Sequence, residues 1–94
     1  MFICDCHCDT LTELYKKGTS LYANDQHFDI QRQIALGGGL QFCAIFVPTR
    51  EFRYYGGLRY ALQLLDKYLQ EVKKLHVDGI DVLQVLTKED AADV

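Results

Sequence analysis

The chain has 94 residues, of which 49% are hydrophobic and 24% are charged, a composition typical of one small globular domain. Its formal net charge of -3 is unlike the concentrated basic surface that nucleic-acid binding needs, so we expect no nucleic-acid partner. The sequence holds neither the ~20-residue apolar run of a membrane-spanning helix nor an export signal, so we expect a cytoplasmic protein with reduced cysteines.

The first part of the chain predicts one strand and two short helices. The strand is expected over residues 2–7, which contain no helix- or strand-breaking residue. Thr10 and Glu13 have the spacing of a capping box, so a helix is expected to begin there and to end at the next glycine. Asp29 is a suitable N-cap for a second helix, which the glycines at 37–39 are expected to close.

The remainder predicts two further strands around a long helix. Residues 40–47 are apolar except for Gln41, as expected of a parallel strand that is covered on both faces. Residues 58–76 repeat apolar side chains at helical spacing, beginning with Leu58, Ala61 and Leu65. A third strand is expected over residues 82–86, after which the Thr-Lys-Glu-Asp passage has the spacing of another helix start.

The alternation of strands and helices predicts the fold class. It is typical of an α/β protein with a parallel sheet and right-handed crossovers. A (β/α)8 TIM barrel takes ~250 residues, so about three βα units would form less than half of one. The last predicted helix is barely one turn long. We therefore interpret residues 1–94 as the N-terminal fragment of a single barrel domain.

The candidate site lies at the end of the first strand. Alternate side chains of a strand share a face, so Asp5, His7 and Asp9 are expected together. An imidazole nitrogen and a carboxylate oxygen suit zinc, and barrel active sites lie at strand C-termini, so His7 and Asp9 are the predicted metal ligands. Asp5 is expected to orient a ligand from behind. The alternative is a merely polar strand end, with Asp9 or Thr10 capping the following helix.

The cysteines allow a second interpretation. Cys4, Cys6 and Cys8 alternate on the face opposite His7, and their spacing lacks the paired Cys-x2-Cys pattern of structural zinc sites. We expect them to pack in the core, as we expect of Cys43, because cysteine is a common buried residue. The alternative is a small metal- or thiol-binding module in which Cys4, Cys6 and Cys8 are the ligands.

The passage Asp-Cys-His-Cys-Asp-Thr at residues 5–10 resembles the amino-terminal Asp-x-His-x-Asp-Thr motif of the membrane dipeptidases, also called renal dipeptidases. The likeness continues through residues 28–30 and through the glycine-rich passage at 37–42. Members of this family are (β/α)8 barrels with two zinc ions. The resemblance therefore implies a metallopeptidase that hydrolyses dipeptides, some with a D-residue at the carboxyl end, by a metal-activated water.

Residue by residue, the resemblance implies that His7 and Asp9 bind one zinc ion. The bridging glutamate and the further histidines of the family come from later strands and have no match here, so we expect a partial zinc site, no catalytic residue and no activity of this chain alone. Cys6 and Cys8 replace the family's usual glycine and asparagine. The expected partners are the dipeptide in the complete enzyme and the missing remainder of the barrel or a second copy. A non-catalytic assembly fragment is the remaining alternative.

Overall fold

A computed structural model describes residues 1–92 as two strands and four helices. These elements are β1 (Ile3–Cys8), α1 (Thr10–Lys17), α2 (Ile30–Ala35), β2 (Gly39–Cys43), α3 (Gly57–Val77) and α4 (Lys88–Ala92). The predicted order of elements is confirmed as far as α3. Within residues 1–92 no helix combines the length and the apolar character needed to cross a bilayer.

The two strands form a parallel sheet, as the alternating pattern predicted. The opposed pairs are Ile3 with Gly39, Cys4 with Leu40, Asp5 with Gln41, and Cys8 with Cys43. From the pair Asp5–Gln41 to the pair Cys8–Cys43, β1 advances by three residues and β2 by only two, so β1 contains a bulge. α1 and α2 lie in the connection between the strands, because parallel strands require a long crossover.

The glycine run at residues 37–39 permits the close approach of the two strands. Gly37 and Gly38 have φ angles of 109° and 87°, which L-residues with side chains rarely adopt. Gly39 faces the other strand directly: a Cβ atom there would collide with the carbonyl oxygen of Ile3 and lie 2.5 Å from Nε2 of Gln33. Only glycine therefore fits the start of β2 without displacing β1.

The third predicted strand, over residues 82–86, is wrong for the structure described. Among residues 1–92 that segment has no partner strand, and β2 itself ends at Cys43 rather than at residue 47. The segment follows α3 as extended chain instead. Ile80 and Val82 pack against the leucine core, and Nε2 of His76 lies 2.9 Å from the carbonyl oxygen of Val82. A short apolar run serves helix packing as well as sheet pairing, and periodicity alone does not separate the two.

Side-chain capping bonds occur at the starts of α2 and α4 but not at the start of α1. Oδ1 of Asp29 accepts a hydrogen bond from the backbone N–H of Arg32 at 2.8 Å, which confirms Asp29 as the N-cap of α2. The capping box predicted at Thr10 is wrong, because Thr10 is already inside α1 and the N-cap, Asp9, makes no side-chain cap bond. Thr87 and Asp90 do exchange side-chain-to-backbone bonds at the start of α4.

The core is small and lies between α1, α3 and the loop before α2. Its buried apolar residues are Cys8, Leu11, Leu14, Leu21, Leu64 and Leu75. The face that α3 buries matches the predicted stripe only in part. Leu75 belongs to that stripe and is buried, whereas Leu58 is 76% exposed and Leu65 is also exposed. Leu64, which lies outside the predicted stripe, is fully buried. The apolar surface of α3 is wider than the contact with α1, so part of it stays in solvent.

A buried carboxylate joins α3 to the loop that follows α1. Glu71 is only 3% exposed, and its Oε1 accepts the backbone N–H of Leu21 at 2.6 Å. Lys67 and Lys74 bring their ammonium nitrogens to 3.5 and 3.4 Å from Oε2. Burial acts to raise the pKa of Glu71, but the Leu21 N–H and the two lysines outweigh it and leave the pKa below its ordinary value of 4.5.

Glu71→Gln is expected to lower the free energy of unfolding by about 1–3 kcal/mol at neutral pH, because a charge-assisted bond to a buried N–H is lost. The pKa of Glu71 is lowered on folding, so its contribution is present above the unfolded pKa and is lost as the pH falls through the folded one. Urea unfolding at several pH values measures both effects.

The matched control is Asp66→Asn, an exposed acid on the same helix, which should change stability by no more than about 0.5 kcal/mol. Unfolding curves of the Glu71 and Asp66 variants that coincide at every pH would contradict the assigned role of the buried carboxylate.

Gly39→Ala should destabilise the chain more than Gly18→Ala does. In the Gly18 variant the added methyl group meets open space. The cost there comes only from holding an alanine at a φ of 67°, which is about 1 kcal/mol. The Gly39 variant must separate β1 from β2, an overpacking cost of about 3 kcal/mol. Urea midpoints measured in parallel test the ranking, and equal losses would mean that the strands do not approach as closely as described.

Candidate metal centre

His7 and Asp9, the predicted metal ligands, meet at the end of β1. Nε2 of His7 lies 3.1 Å from Oδ1 of Asp9, and the two side chains are 63% and 61% exposed. The bulge in β1 precedes Cys8, and α1 begins immediately after Asp9, so both residues sit where the strand turns into the helix. With a proton on Nε2, the imidazole donates to the carboxylate.

The separation of the two side-chain atoms is that of a hydrogen bond, and it is also close to the spacing of two ligand atoms on one zinc ion. A nitrogen and an oxygen that each lie 2.0–2.1 Å from a tetrahedral zinc are about 3.3 Å apart, close to the 3.1 Å observed. Within residues 1–92 no group of three or more histidine, cysteine, aspartate or glutamate side chains is arranged to hold a metal. The pair offers two donor atoms, fewer than the four ligands that a tetrahedral zinc ion takes.

Asp5 supports the strand end rather than the imidazole ring. Its Oδ1 accepts the backbone N–H of His7 at 3.3 Å, and its Oδ2 accepts Nε2 of Gln41 at 3.0 Å. The sequence predicted Asp5 behind a ligand, and the structure places its contact on the ligand's backbone. Gln41 was not predicted as a site residue, although it is the one polar side chain in an otherwise apolar strand.

The cysteines do not behave as the strand alternation predicted. Cys4 and Cys6 are exposed, so the expectation of core packing is wrong for them, whereas Cys8 is 7% exposed and Cys43 is partly buried. The two-stranded sheet covers too little of β1 to bury the exposed pair. The three-cysteine ligand set of the thiol-module alternative is likewise not assembled in residues 1–92.

Cys8 instead pairs with Cys43 across the sheet. Their sulfur atoms are 3.9 Å apart, and the two residues are opposed in the strand register. Cys43 is two residues from Gln41 and shares its face, so the bulge places Cys8 on the same face as Asp5. No pattern within residues 2–8 reveals this, because the bulge depends on the partner strand.

The two thiols have opposite tendencies to ionise. The neighbouring Cys43 thiol stabilises the Cys8 thiolate and lowers the pKa of Cys8 to about 6, against the effect of burial and with help from the backbone N–H and hydroxyl of Thr10. The same neighbour, followed by burial, raises the pKa of Cys43 far above its usual range. Of the two thiols, Cys8 is therefore the more readily ionised.

The chain matches no protein-family model, no curated protein and no solved structure. The likeness to the membrane dipeptidases thus rests on the sequence alone, in residues 5–10, 28–30 and 37–42.

Proposed function

We propose that this chain is the N-terminal part of a zinc-dependent dipeptidase of the membrane dipeptidase type, with His7 and Asp9 as ligands of one zinc ion. The observation that supports it best is the 3.1 Å separation between Nε2 of His7 and Oδ1 of Asp9 at a strand end. The same two residues are the histidine and second aspartate of the Asp-x-His-x-Asp-Thr motif. Motif and geometry point to the same pair of atoms.

In this proposal each residue near the strand end has a distinct task. His7 offers the lone pair of Nε2, which requires its proton to reside on Nδ1. Asp9 offers a negative oxygen, and its charge favours a divalent cation. Asp5 accepts the backbone N–H of His7 and bonds Gln41 of β2, so it helps to hold the backbone that carries one donor. Zinc supplies Lewis acidity, which activates water and polarises the peptide carbonyl.

Uncovered apolar surface supports the idea that these residues work within a larger assembly. Phe42 and Phe46 are each more than half exposed, close to the strand end that carries the site. Leu58, Leu62 and Leu69 form an exposed row along α3. Each strand also has one unpaired edge in the two-stranded sheet. Further strands would cover these surfaces and bring the additional ligands that a catalytic zinc needs.

Zinc titration of the reduced chain, followed through the NMR signals of its three histidines, tests the proposal. The signals of His7 are expected to shift, while those of His27 and His76, which are exposed elsewhere, stay in place. His7→Ala and Asp9→Asn should each weaken binding by roughly tenfold or more, because even residues behind a ligand contribute that much. His76→Ala is the matched control and should bind zinc as the parent does.

Cobalt in place of zinc distinguishes the thiol-module alternative. Nitrogen and oxygen ligation is expected, so the cobalt spectrum should lack strong sulfur-to-metal charge transfer. Intense charge-transfer bands that vanish in Cys4→Ser or Cys6→Ser would contradict the proposal and favour the cysteines as ligands.

Dipeptide hydrolysis by this chain with zinc should stay at background. Hydrolysis that His7→Ala abolishes would instead mean that a site is completed between copies.

A further inference from the structure

We propose that Cys8 and Cys43 form a redox-active dithiol that closes to an intramolecular disulfide and thereby joins β1 to β2 beside His7 and Asp9. The inference rests on the register and distance of the two cysteines. It holds whether or not a metal binds at His7 and Asp9, so it is independent of the proposed function.

The backbone already places the two residues at a disulfide separation. Cys8 and Cys43 are opposed partners of adjacent parallel strands. Adjacent strands are about 4.8 Å apart, within the range of about 4.4–6.8 Å that the Cα atoms of disulfides span. The sulfur atoms, at 3.9 Å, need to approach by about 2 Å to bond, a movement that side-chain rotation provides.

The same geometry distinguishes this pair from the other two cysteines. Cys4 is opposed by Leu40 in the sheet, and both Cys4 and Cys6 are exposed. An oxidant reaches those thiols easily, but the product there is a mixed disulfide. A mixed disulfide between Cys8 and an oxidant would lie beside the Cys43 thiol. That thiol can attack the mixed disulfide within the same chain. A neighbouring thiol at fixed short range has a very high effective concentration, which favours closure over reopening.

The oxidant in this proposal is a low-molecular-weight disulfide such as glutathione disulfide. One cysteine thiolate attacks a sulfur of the reagent, whose S–S bond breaks and releases one glutathione thiolate. The other cysteine thiolate attacks the resulting mixed disulfide and releases the second glutathione. One S–S bond forms and one breaks. Two electrons pass from the protein to the reagent, and the two thiol protons end on the two glutathione thiols.

Closure should have two measurable consequences. The bond would enclose α1 and α2 in a covalent loop, which restricts the unfolded chain and raises the melting temperature by on the order of 10 °C. Cys8 lies between His7 and Asp9 in the chain, so the bond also changes the surroundings of both side chains. The NMR signals of His7 should therefore differ between the reduced and oxidised protein, while those of His27 should not.

The test uses the variant Cys4→Ser/Cys6→Ser, which keeps only the proposed pair, in the presence of a metal chelator. After equilibration with glutathione disulfide, non-reducing peptide mapping is expected to show the peptides of Cys8 and Cys43 linked within a monomer. Adding Cys43→Ser is the control: Cys8 is then expected to carry glutathione or to stay reduced. In the parent chain the same linked peptides should appear, with glutathione on Cys4 and Cys6.

Three outcomes would overturn the proposal. The first is a Cys4→Ser/Cys6→Ser protein that retains both thiols under conditions that modify Cys4 and Cys6 in the parent. The second is a product in which Cys8 and Cys43 each carry glutathione, because the sulfurs then do not meet. The third is linkage between two chains rather than within one. None of these results bears on zinc binding by His7 and Asp9, which the histidine titration measures separately.

Discussion

The parallel pairing of β1 with β2 is the constraint on which the rest of this structure depends. It begins at Gly39, where the absence of a side chain lets the carbonyl of Ile3 approach, and it ends at the contact between Cys8 and Cys43. The strands differ in length by one residue between those points, and the bulge absorbs the difference. The end of β1 is therefore held to β2 at two points, by Gln41 through Asp5 and by Cys43 through Cys8.

Local features of the sequence predicted much of this arrangement. The two strands, the long helix and the cap at Asp29 follow from patterns within a few residues, and so does the pairing of His7 with Asp9. Apart from the capping box at Thr10, which is a local error, the main errors concern features that depend on distant residues. The bulge reflects the register with β2, the exposure of Cys4 and Cys6 reflects the narrow sheet, and the non-strand segment 82–86 reflects packing on a helix. Alternation within one strand contains none of that information.

The small core explains why a buried charge is retained. The largest side chains that are almost fully buried are three leucines, Leu11, Leu14 and Leu64. Apolar burial alone therefore does little to fix the conformation of the loop after α1. Glu71 fixes the position of this loop by accepting the backbone N–H of Leu21. Lys67 and Lys74 offset the cost of removing its carboxylate from water. The loop leads to α2 and then to Gly39, so this ion cluster also helps to set the start of β2.

The metal proposal and the disulfide proposal have a common structural origin, which is the turn from β1 into α1. Three consecutive residues, His7, Cys8 and Asp9, occupy it, and the planar peptide units between them leave few soft torsions. A disulfide at Cys8 would restrict the backbone torsions of that residue, which contribute to the distance from Nε2 of His7 to Oδ1 of Asp9 together with the side-chain torsions of both residues. If both proposals hold, oxidation of the dithiol would alter the donor separation. Linkage would then require zinc binding to change the reduction potential of the pair by the same free energy by which oxidation changes the affinity for zinc.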